Sequence, residues 1–168
     1  MTTNQRTIVG AGHRMIALML PFLLAGIITW ALALEWARVS LPGPLVIVGA
    51  LLTGLGVLGY LWSGVEIVRS FRAKQLVTTG SFGLCRHPLY ASWILLLLPG
   101  LALLSGNLLF VVADLMLIVG YLRFIGGEEQ QLIDEFGEAY RSYAARRFGI
   151  LPLGPIKPAR IAAPSLGG

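Results

Sequence analysis

Long apolar segments dominate the pattern of hydrophobic and polar positions along the chain. A helix needs about 20 mostly apolar residues to cross the roughly 30 Å hydrocarbon core of a bilayer. The apolar block at 89–124 is too long for one span, and the break at Ser105-Gly106-Asn107 indicates a tight turn between two shorter helices. The pattern therefore predicts four membrane-spanning helices, the third and fourth forming a hairpin. We place them at residues 15–37, 44–68, 90–104 and 108–125.

The second predicted span is unusually rich in glycine. Small residues allow helix backbones to approach closely inside a membrane. We therefore expect this helix to occupy the centre of the bundle. The glycines concerned are Gly49, Gly54, Gly56, Gly59 and Gly64.

A polar segment follows the fourth span. Five of the eight acidic residues fall between positions 128 and 138. In the same stretch Leu132, Phe136, Tyr140 and Tyr143 recur at helical spacing, with charged residues on the opposite side. Such a pattern is typical of an amphipathic helix lying on a membrane surface.

The composition agrees with a membrane protein. The chain is 56% hydrophobic and 12% charged, whereas soluble domains carry roughly 25% charged residues. This excludes a soluble enzyme, and the single cysteine, Cys85, excludes a disulfide scaffold within the chain. The predicted fold is thus an all-α integral membrane helical bundle with a cytoplasmic amphipathic C-terminal helix.

The basic residues predict the orientation of the bundle. In the four-span arrangement, twelve of the thirteen lie on one side and Arg38 alone lies on the other. Short cytoplasmic loops carry the excess of Lys and Arg, so both termini of this multi-pass protein are expected on the cytoplasmic side of an inner or plasma membrane. Because topology accounts for the net charge of +5, we expect membrane lipids and no nucleic acid as partners.

A second polar cluster lies in the loop between the second and third spans, which ends in CRHPLY. Proline favours an extended backbone in the preceding His87, and Pro88 suits the first turn of the third helix. His87 and Tyr90 are placed to line one pocket at a helix N-terminus, the alternative for His87 being an anchor at the level of the lipid headgroups. Two histidines, one cysteine and no helical histidine pair predict no metal site.

Two sequence blocks carry a family resemblance. The run LVTTGSFGLCRHPLYAS at 76–92, then Asn107, then EEQQLIDEFGEAYRSYAARRFGILP at 128–152 resemble the C-terminal half of the isoprenylcysteine carboxyl methyltransferase family and the related membrane phospholipid methyltransferases. The resemblance implies a membrane-embedded enzyme that binds S-adenosylmethionine on its cytoplasmic side, enclosed by the loops and the last helices.

The resemblance also implies which residues hold the cofactor. S-adenosylmethionine carries a sulfonium, an ammonium, a carboxylate and an adenine, so its pocket needs aromatic faces, one acid and hydrogen-bond donors. The ring of Phe82 and the guanidinium of Arg86 supply two of these types. The family's cofactor positions correspond to Lys74, Gln75, Leu76, Val77, His87, Pro88, Leu89, Tyr90 and Glu128.

Three positions depart from the family pattern. Phe82 stands where a tyrosine is usual, Ser92 replaces a common glycine, and Arg123 matches a substrate-side arginine only with an offset of about one residue. A carboxylate acceptor needs orientation, for which Arg123 or Arg86 would serve. An amine or thiol must first lose a proton, with Glu129 or His87 as base.

We accordingly expect one membrane-embedded methyltransferase domain at 1–152, its cofactor-binding part at about 74–152, and a Pro/Gly-rich tail at 153–168. The acceptor is expected to be lipophilic, either a carboxylate of isoprenylcysteine type or an amine of phospholipid type, and a homodimer would provide any enlarged chamber. The alternatives are a relative of the sterol reductases that uses NADPH and a non-catalytic membrane scaffold. Asp114, within the fourth span, is either functional or a packing residue that is protonated or hydrogen-bonded to a neighbouring helix.

Overall fold

Five helices make up most of the chain in the computed structural model, which describes residues 10–73 and 75–152. Within those residues there is no β-strand, so the all-α fold predicted from the sequence is confirmed. Lys74 and the predicted tail at 153–168 lie outside the described residues. The helices are α1 (Gly10–Ala31), α2 (Gly43–Ala73), α3 (Pro88–Ser105), α4 (Leu108–Phe136) and α5 (Glu138–Ala144).

Four of these helices, α1 to α4, are long and apolar enough to cross a membrane. Their outward faces carry large apolar side chains such as Leu58 and Leu122, which are 65% and 72% exposed. In a helix every internal backbone group is hydrogen-bonded within the element, so such a surface is stable against lipid. The chain is an integral membrane helical bundle, as predicted.

The helices α1 and α4 pack closely because each presents a glycine to a large side chain of the other. Gly26 of α1 lies against the ring of Phe110, where an added Cβ would come 3.0 Å from the ring. Gly120 of α4 lies against Met15, whose side chain is fully buried. Dispersion contacts of this kind hold helices together inside lipid, where the hydrophobic effect between them is absent.

The helix α2 lies at the edge of the bundle and packs on α3, so the expectation that it is central was wrong. Only 11% of its most apolar stretch is buried, against 33% in α3. Gly49 and Gly56 do allow close approach, since an added Cβ would lie 2.4 Å from the Leu104 nitrogen and 2.8 Å from the Leu97 nitrogen. Gly54 and Gly64 face open space. The glycines therefore bring α2 close to one neighbouring helix, α3.

The turn between α3 and α4 is fixed by Gly106 and Asn107. Gly106 has a φ of 66°, which favours glycine, and its carbonyl accepts a hydrogen bond from the Val39 nitrogen at 2.8 Å. The side chain of Asn107 caps α4 by accepting from the Leu109 nitrogen and donates to the Thr29 hydroxyl at 2.7 Å. These bonds join the α1–α2 and α3–α4 connections at the same end of the bundle.

The C-terminal ends of α1 and α4 differ most from the sequence-based prediction. The helix α1 ends at Ala31 and not at residue 37, because Ala33 adopts a φ of 51° before a 3₁₀ turn at Glu35–Ala37. The helix α4 continues eleven residues past 125 to Phe136, and the predicted amphipathic segment is divided at Gly137, whose φ is 56°. Four of the five acidic residues of that segment, Glu128, Glu129, Asp134 and Glu135, thus belong to the same helix as the span, and Glu138 begins α5.

The helix α3 contains a wide turn. Residues Ser92–Leu97 form a π-helical segment between two α-helical parts. The hydroxyl of Ser92 donates to the carbonyl of Pro88 at 2.8 Å and packs against Gly59 of α2. A wide turn of this kind adds a residue to one turn of the helix and is frequent at functional sites.

Replacing Gly49 by alanine should destabilise the bundle. Its Cβ would meet backbone atoms of α3 that cannot rotate away, and overpacking of this kind costs about 1–3 kcal/mol. Thermal unfolding of the purified protein in detergent measures the effect. The matched control is Gly54→Ala on the same helix, which faces open space and should be neutral or stabilising. Equal melting temperatures for the two variants would contradict the α2–α3 contact.

Candidate active site

A carboxylate on α4 joins the end of that helix to the start of α3. Glu129 accepts a hydrogen bond from His87 Nε2 at 2.9 Å and forms an ion pair with Arg86 at 3.1 Å, both through Oε1. Because an ionised carboxylate can only accept, Nε2 carries the imidazole proton. His87 is buried, and Arg86 and Glu129 are about three-quarters buried. The three side chains form a charged cluster shielded from bulk solvent.

The adjacent carboxylate, Glu128, faces an aromatic group. It accepts a hydrogen bond from the Tyr90 hydroxyl at 3.0 Å. Tyr90, His87 and Tyr121 form a triangle of rings, with centroid separations of 5.9 Å to 6.1 Å. These separations are typical of favourable edge-on and tilted ring contacts. The site thus combines two carboxylates with a wall of aromatic rings.

The loop before α3 is anchored to α2 by a half-buried acceptor, Glu66. Glu66 accepts hydrogen bonds from the nitrogen of Ser81, at 3.0 Å, and from its hydroxyl. Gly80, with a φ of 62°, brings the loop backbone against the same carboxylate. The anchor holds the 3₁₀ turn at Gly80–Gly83 and fixes the path of the chain toward His87.

The segment around α5 closes over the same loop. The Tyr143 hydroxyl donates to the carbonyls of Phe82, at 2.7 Å, and Cys85, at 3.2 Å. Burial raises the pKa of Tyr143, so the hydroxyl keeps the proton that it donates. Beyond α5, the carbonyls of Phe148 and Gly149 accept hydrogen bonds from the backbone nitrogens of the Arg86-His87 pair.

An open cleft of about 360 Å³ lies between the loop and α5. Its walls combine apolar, hydroxyl and guanidinium groups, which suit a ligand with both an apolar and a charged part. The lining residues are Leu76, Thr78, Ala139, Tyr143, Arg146 and Arg147.

The structure brings together five of the residues predicted from the sequence, namely Arg86, His87, Tyr90, Glu128 and Glu129. Others lie on the adjoining loop and helix start. Leu76 lines the cleft and is followed by the half-buried Val77, and the buried Pro88 is followed by the half-buried Leu89. The Phe82 carbonyl accepts a hydrogen bond from the Tyr143 hydroxyl, and the Gln75 carbonyl accepts one from the Ser70 hydroxyl.

Arg123 is not part of this cluster. Its guanidinium lies 6.0 Å from the ring of Phe124 and its side chain is exposed. On a helix with 3.6 residues per turn it points about 120° away from Glu129. The role of Arg123 toward the substrate stays a prediction, as does the assignment of the other site residues.

The two remaining departures from the family pattern have structural explanations. The Ser92 hydroxyl donates to the Pro88 carbonyl and packs against Gly59 of α2, and Ser92 is not among the residues that line the cleft. Phe82 contributes its carbonyl to the Tyr143 contact, and that contact does not depend on a tyrosine hydroxyl at position 82.

Tyr121 is a site residue that the sequence analysis missed. It is 8% exposed and contacts the rings of both His87 and Tyr90. On a continuous helix it lies within about 80° of Glu128 and Glu129. Tyr121 precedes Glu128 by seven residues and Glu129 by eight, a spacing that places them on one side of a helix. The spacing predicts this only if the helix of the fourth span continues beyond residue 125.

The comparisons with known proteins identify the family of the chain. The model of the isoprenylcysteine carboxyl methyltransferase family matches residues 44–134, which is more than half of the chain. The chain belongs to this family. The matched region contains Arg86, His87, Tyr90 and both carboxylates, and it ends before α5.

The chain is also similar to two curated proteins. The nickel-cobalt-cadmium resistance protein NccN of Alcaligenes xylosoxydans is 28% identical over 118 residues, covering 70% of this chain and 54% of that protein. Methanethiol S-methyltransferase 2 of Bradyrhizobium diazoefficiens is 37% identical over 84 residues, covering 49% of this chain and 29% of that protein. The matches thus span about half or less of the length of these relatives. No solved structure is a significant match.

The single cysteine should be a slow nucleophile. Cys85 is 2% exposed, and burial raises the pKa of its thiol, which lowers the fraction of reactive thiolate at neutral pH. We expect alkylation by a maleimide at least about 10-fold slower than that of an ordinary exposed thiol, with a rate that rises only at higher pH.

A suitable exposed reference is Ser142→Cys in a Cys85→Ala background, since Ser142 lies on the exposed side of α5. Mass spectrometry of samples quenched over time gives both rates. Similar rates for the two thiols at neutral pH would show that the loop is not packed as described.

Proposed function

We propose that this member of the isoprenylcysteine carboxyl methyltransferase family is an S-adenosylmethionine-dependent methyltransferase with a lipophilic acceptor. The observation that carries the proposal is the convergence of Glu128 and Glu129 on Tyr90 and His87 at the junction of α4 and α3. Family membership and the name of the methanethiol methyltransferase relative support the same activity.

The residues of the site fit the proposed cofactor. The Tyr140 hydroxyl and the Arg86 Nε atom are buried and have no hydrogen-bond partner among the described residues. Burial raises the pKa of Tyr140, so its hydroxyl is a donor. A buried donor without a partner costs about 1–3 kcal/mol, which a bound carboxylate would recover. Glu128 would serve the ammonium group, and the rings of Tyr90 and Tyr121 would face the sulfonium.

Bound S-adenosylmethionine supplies an activated methyl group, so the protein needs no covalent nucleophile. Its side chains have to orient the reactants and exclude water, and well-oriented groups lower barriers by about 7–11 kcal/mol in favourable cases. The charged cluster and the buried aromatic triangle are suited to both tasks, because their positions are fixed by mutual contacts.

The acceptor determines whether a base is required. An isoprenylcysteine-type carboxylate needs only a cation for orientation, whereas a phospholipid-type amine or a thiol must lose a proton. Glu129 already accepts from two donors through Oε1, so we assign it the orientation of His87. With Nε2 donating to Glu129, Nδ1 is the imidazole atom that would accept that proton. The name of the methanethiol relative adds a small thiol to the candidate acceptors.

The remaining features of the proposal concern topology and assembly. We assign residues 1–152 to one membrane-embedded domain, with multi-pass topology and cytoplasmic termini, because twelve of the thirteen basic residues then lie on the cytoplasmic side. The site would open to the cytoplasmic interface, where a lipid substrate can enter laterally. A homodimer would supply an enlarged acceptor chamber.

Calorimetric titration of the detergent-purified protein with S-adenosylmethionine and, separately, with NADPH tests the function. Saturable binding of S-adenosylmethionine alone is expected. Binding of NADPH alone would favour the sterol-reductase alternative, and binding of neither by a folded protein would favour a non-catalytic scaffold.

Glu128→Gln should weaken the binding of S-adenosylmethionine by about 10-fold or more, because hydrogen bonds to charged groups contribute roughly 1.5–3 kcal/mol. Glutamine keeps an oxygen acceptor for Tyr90, so the fold should persist. Glu135→Gln, on an exposed part of the same helix, is the matched control and should bind normally. Unchanged affinity of the Glu128 variant would remove this residue from the site.

A further inference from the structure

The backbone beyond α5 pairs with the backbone of the charged cluster. The nitrogens of Arg86 and His87 donate to the carbonyls of Phe148 and Gly149, each at 2.9 Å. Both residues that pair with Glu129 are therefore held from two sides, through their side chains by α4 and through their main chain by the segment at 148–149. This segment lies beyond the region matched by the family model, which ends at residue 134.

Position 149 has no room for a side chain. A Cβ built there would lie 2.4 Å from the Tyr121 hydroxyl oxygen and 3.7 Å from the Tyr121 Cζ atom. The first separation is shorter than a normal hydrogen bond, so a methyl group and this hydroxyl cannot coexist. Its φ is not among the positive values, so alanine is compatible with the backbone and the conflict is purely steric.

Tyr121 cannot move aside without disturbing the site. It is 8% exposed, and its ring lies 5.9 Å from both the His87 and the Tyr90 rings. Packed interiors transmit displacements of this kind because they have few voids. A shift of Tyr121 would therefore reach His87 and, through it, the carboxylate of Glu129.

We infer that Gly149 is a positioning residue: its missing side chain lets the 148–149 backbone bind Arg86 and His87 while Tyr121 keeps its place in the aromatic triangle. The inference rests on the proposed function for its effect on cofactor binding. Its structural part, the hold on the Arg86-His87 backbone, is independent of any ligand.

The test is Gly149→Ala in the full-length protein. Affinity for S-adenosylmethionine should fall by about 10-fold or more, and the melting temperature should fall as well, because the added methyl group overpacks the buried Tyr121. Gly83→Ala is the matched control, since the nearest atom to its Cβ would be the Thr78 carbonyl oxygen at 3.9 Å. This control should bind normally.

A double variant separates positioning from a general loss of structure. Because the clashing atom is the Tyr121 hydroxyl oxygen, Tyr121→Phe removes it and leaves the ring. In the Tyr121→Phe background, Gly149→Ala should change affinity by less than about 2-fold, a coupling that a double-mutant cycle measures. An equal loss in both backgrounds would overturn the inference.

Amide hydrogen exchange supplies a readout that needs no ligand. In Gly149→Ala the amides of Arg86 and His87 should exchange faster than in the wild type, and the rate should return toward the wild-type value in the double variant. If the wild type does not bind S-adenosylmethionine, the proposed function fails, and exchange alone decides the inference. Unchanged exchange of these two amides in Gly149→Ala would refute it.

Discussion

The bond from one oxygen of Glu129 to both Arg86 and His87 is the interaction on which the site depends. It links the far end of a membrane-spanning helix to the first residues of another, where neither helix alone could fix a polar side chain. Charges withdrawn from water are stable only when they are paired. The carboxylate and its two partners thus hold each other in place. Because Glu128 is next to Glu129 and Tyr90 is three residues after His87, the same bonds also bring Glu128 and Tyr90 within hydrogen-bond distance.

This linkage requires helices that approach each other closely, and glycine makes that approach in two separate pairs. Gly26 and Gly120 serve α1 and α4, while Gly49 and Gly56 serve α2 and α3. At one end of the bundle the two pairs are joined by the hydrogen bond from the Val39 nitrogen to the Gly106 carbonyl, which links the α1–α2 and α3–α4 connections, and at the other end by the polar cluster. Glycine packing therefore brings the helices of each pair together, and the polar contacts at the two ends join one pair to the other.

Most of this arrangement was predictable from the sequence, and the failures have physical causes. Span length and the Ser105-Gly106-Asn107 break predicted four helices and a hairpin, because hydrophobic thickness sets helix length. The same criterion ended the fourth helix too early. The drop in hydropathy marks where the chain leaves the hydrocarbon core, whereas the helix continues to Phe136 and ends where Gly137 adopts a positive φ. This error concealed Tyr121.

The positions of α2 and Gly149 were beyond the reach of one sequence. Glycines on α2 indicate that another helix packs closely against it, but they do not indicate how many helices do so. In the structure the close contacts of Gly49 and Gly56 are all with α3. Gly149 lies in an irregular segment with no periodicity. Its contact with Tyr121 joins residues 28 positions apart that no local pattern relates.

The π-helical segment in α3 changes what one helix can present along its length. An added residue in one turn offsets the side chains before Ser92 from those after Leu97 by about 100° relative to an uninterrupted helix. His87 and Tyr90 can therefore face α4 while the far half of the helix presents Leu104 and Gly100 to α2. A related protein with one residue fewer in this segment would keep an apolar span of nearly the same length. Its histidine, however, would be rotated by about 100° about the helix axis and would no longer face α4. Alignments of related proteins should be judged here by the length of the segment as well as by its residues.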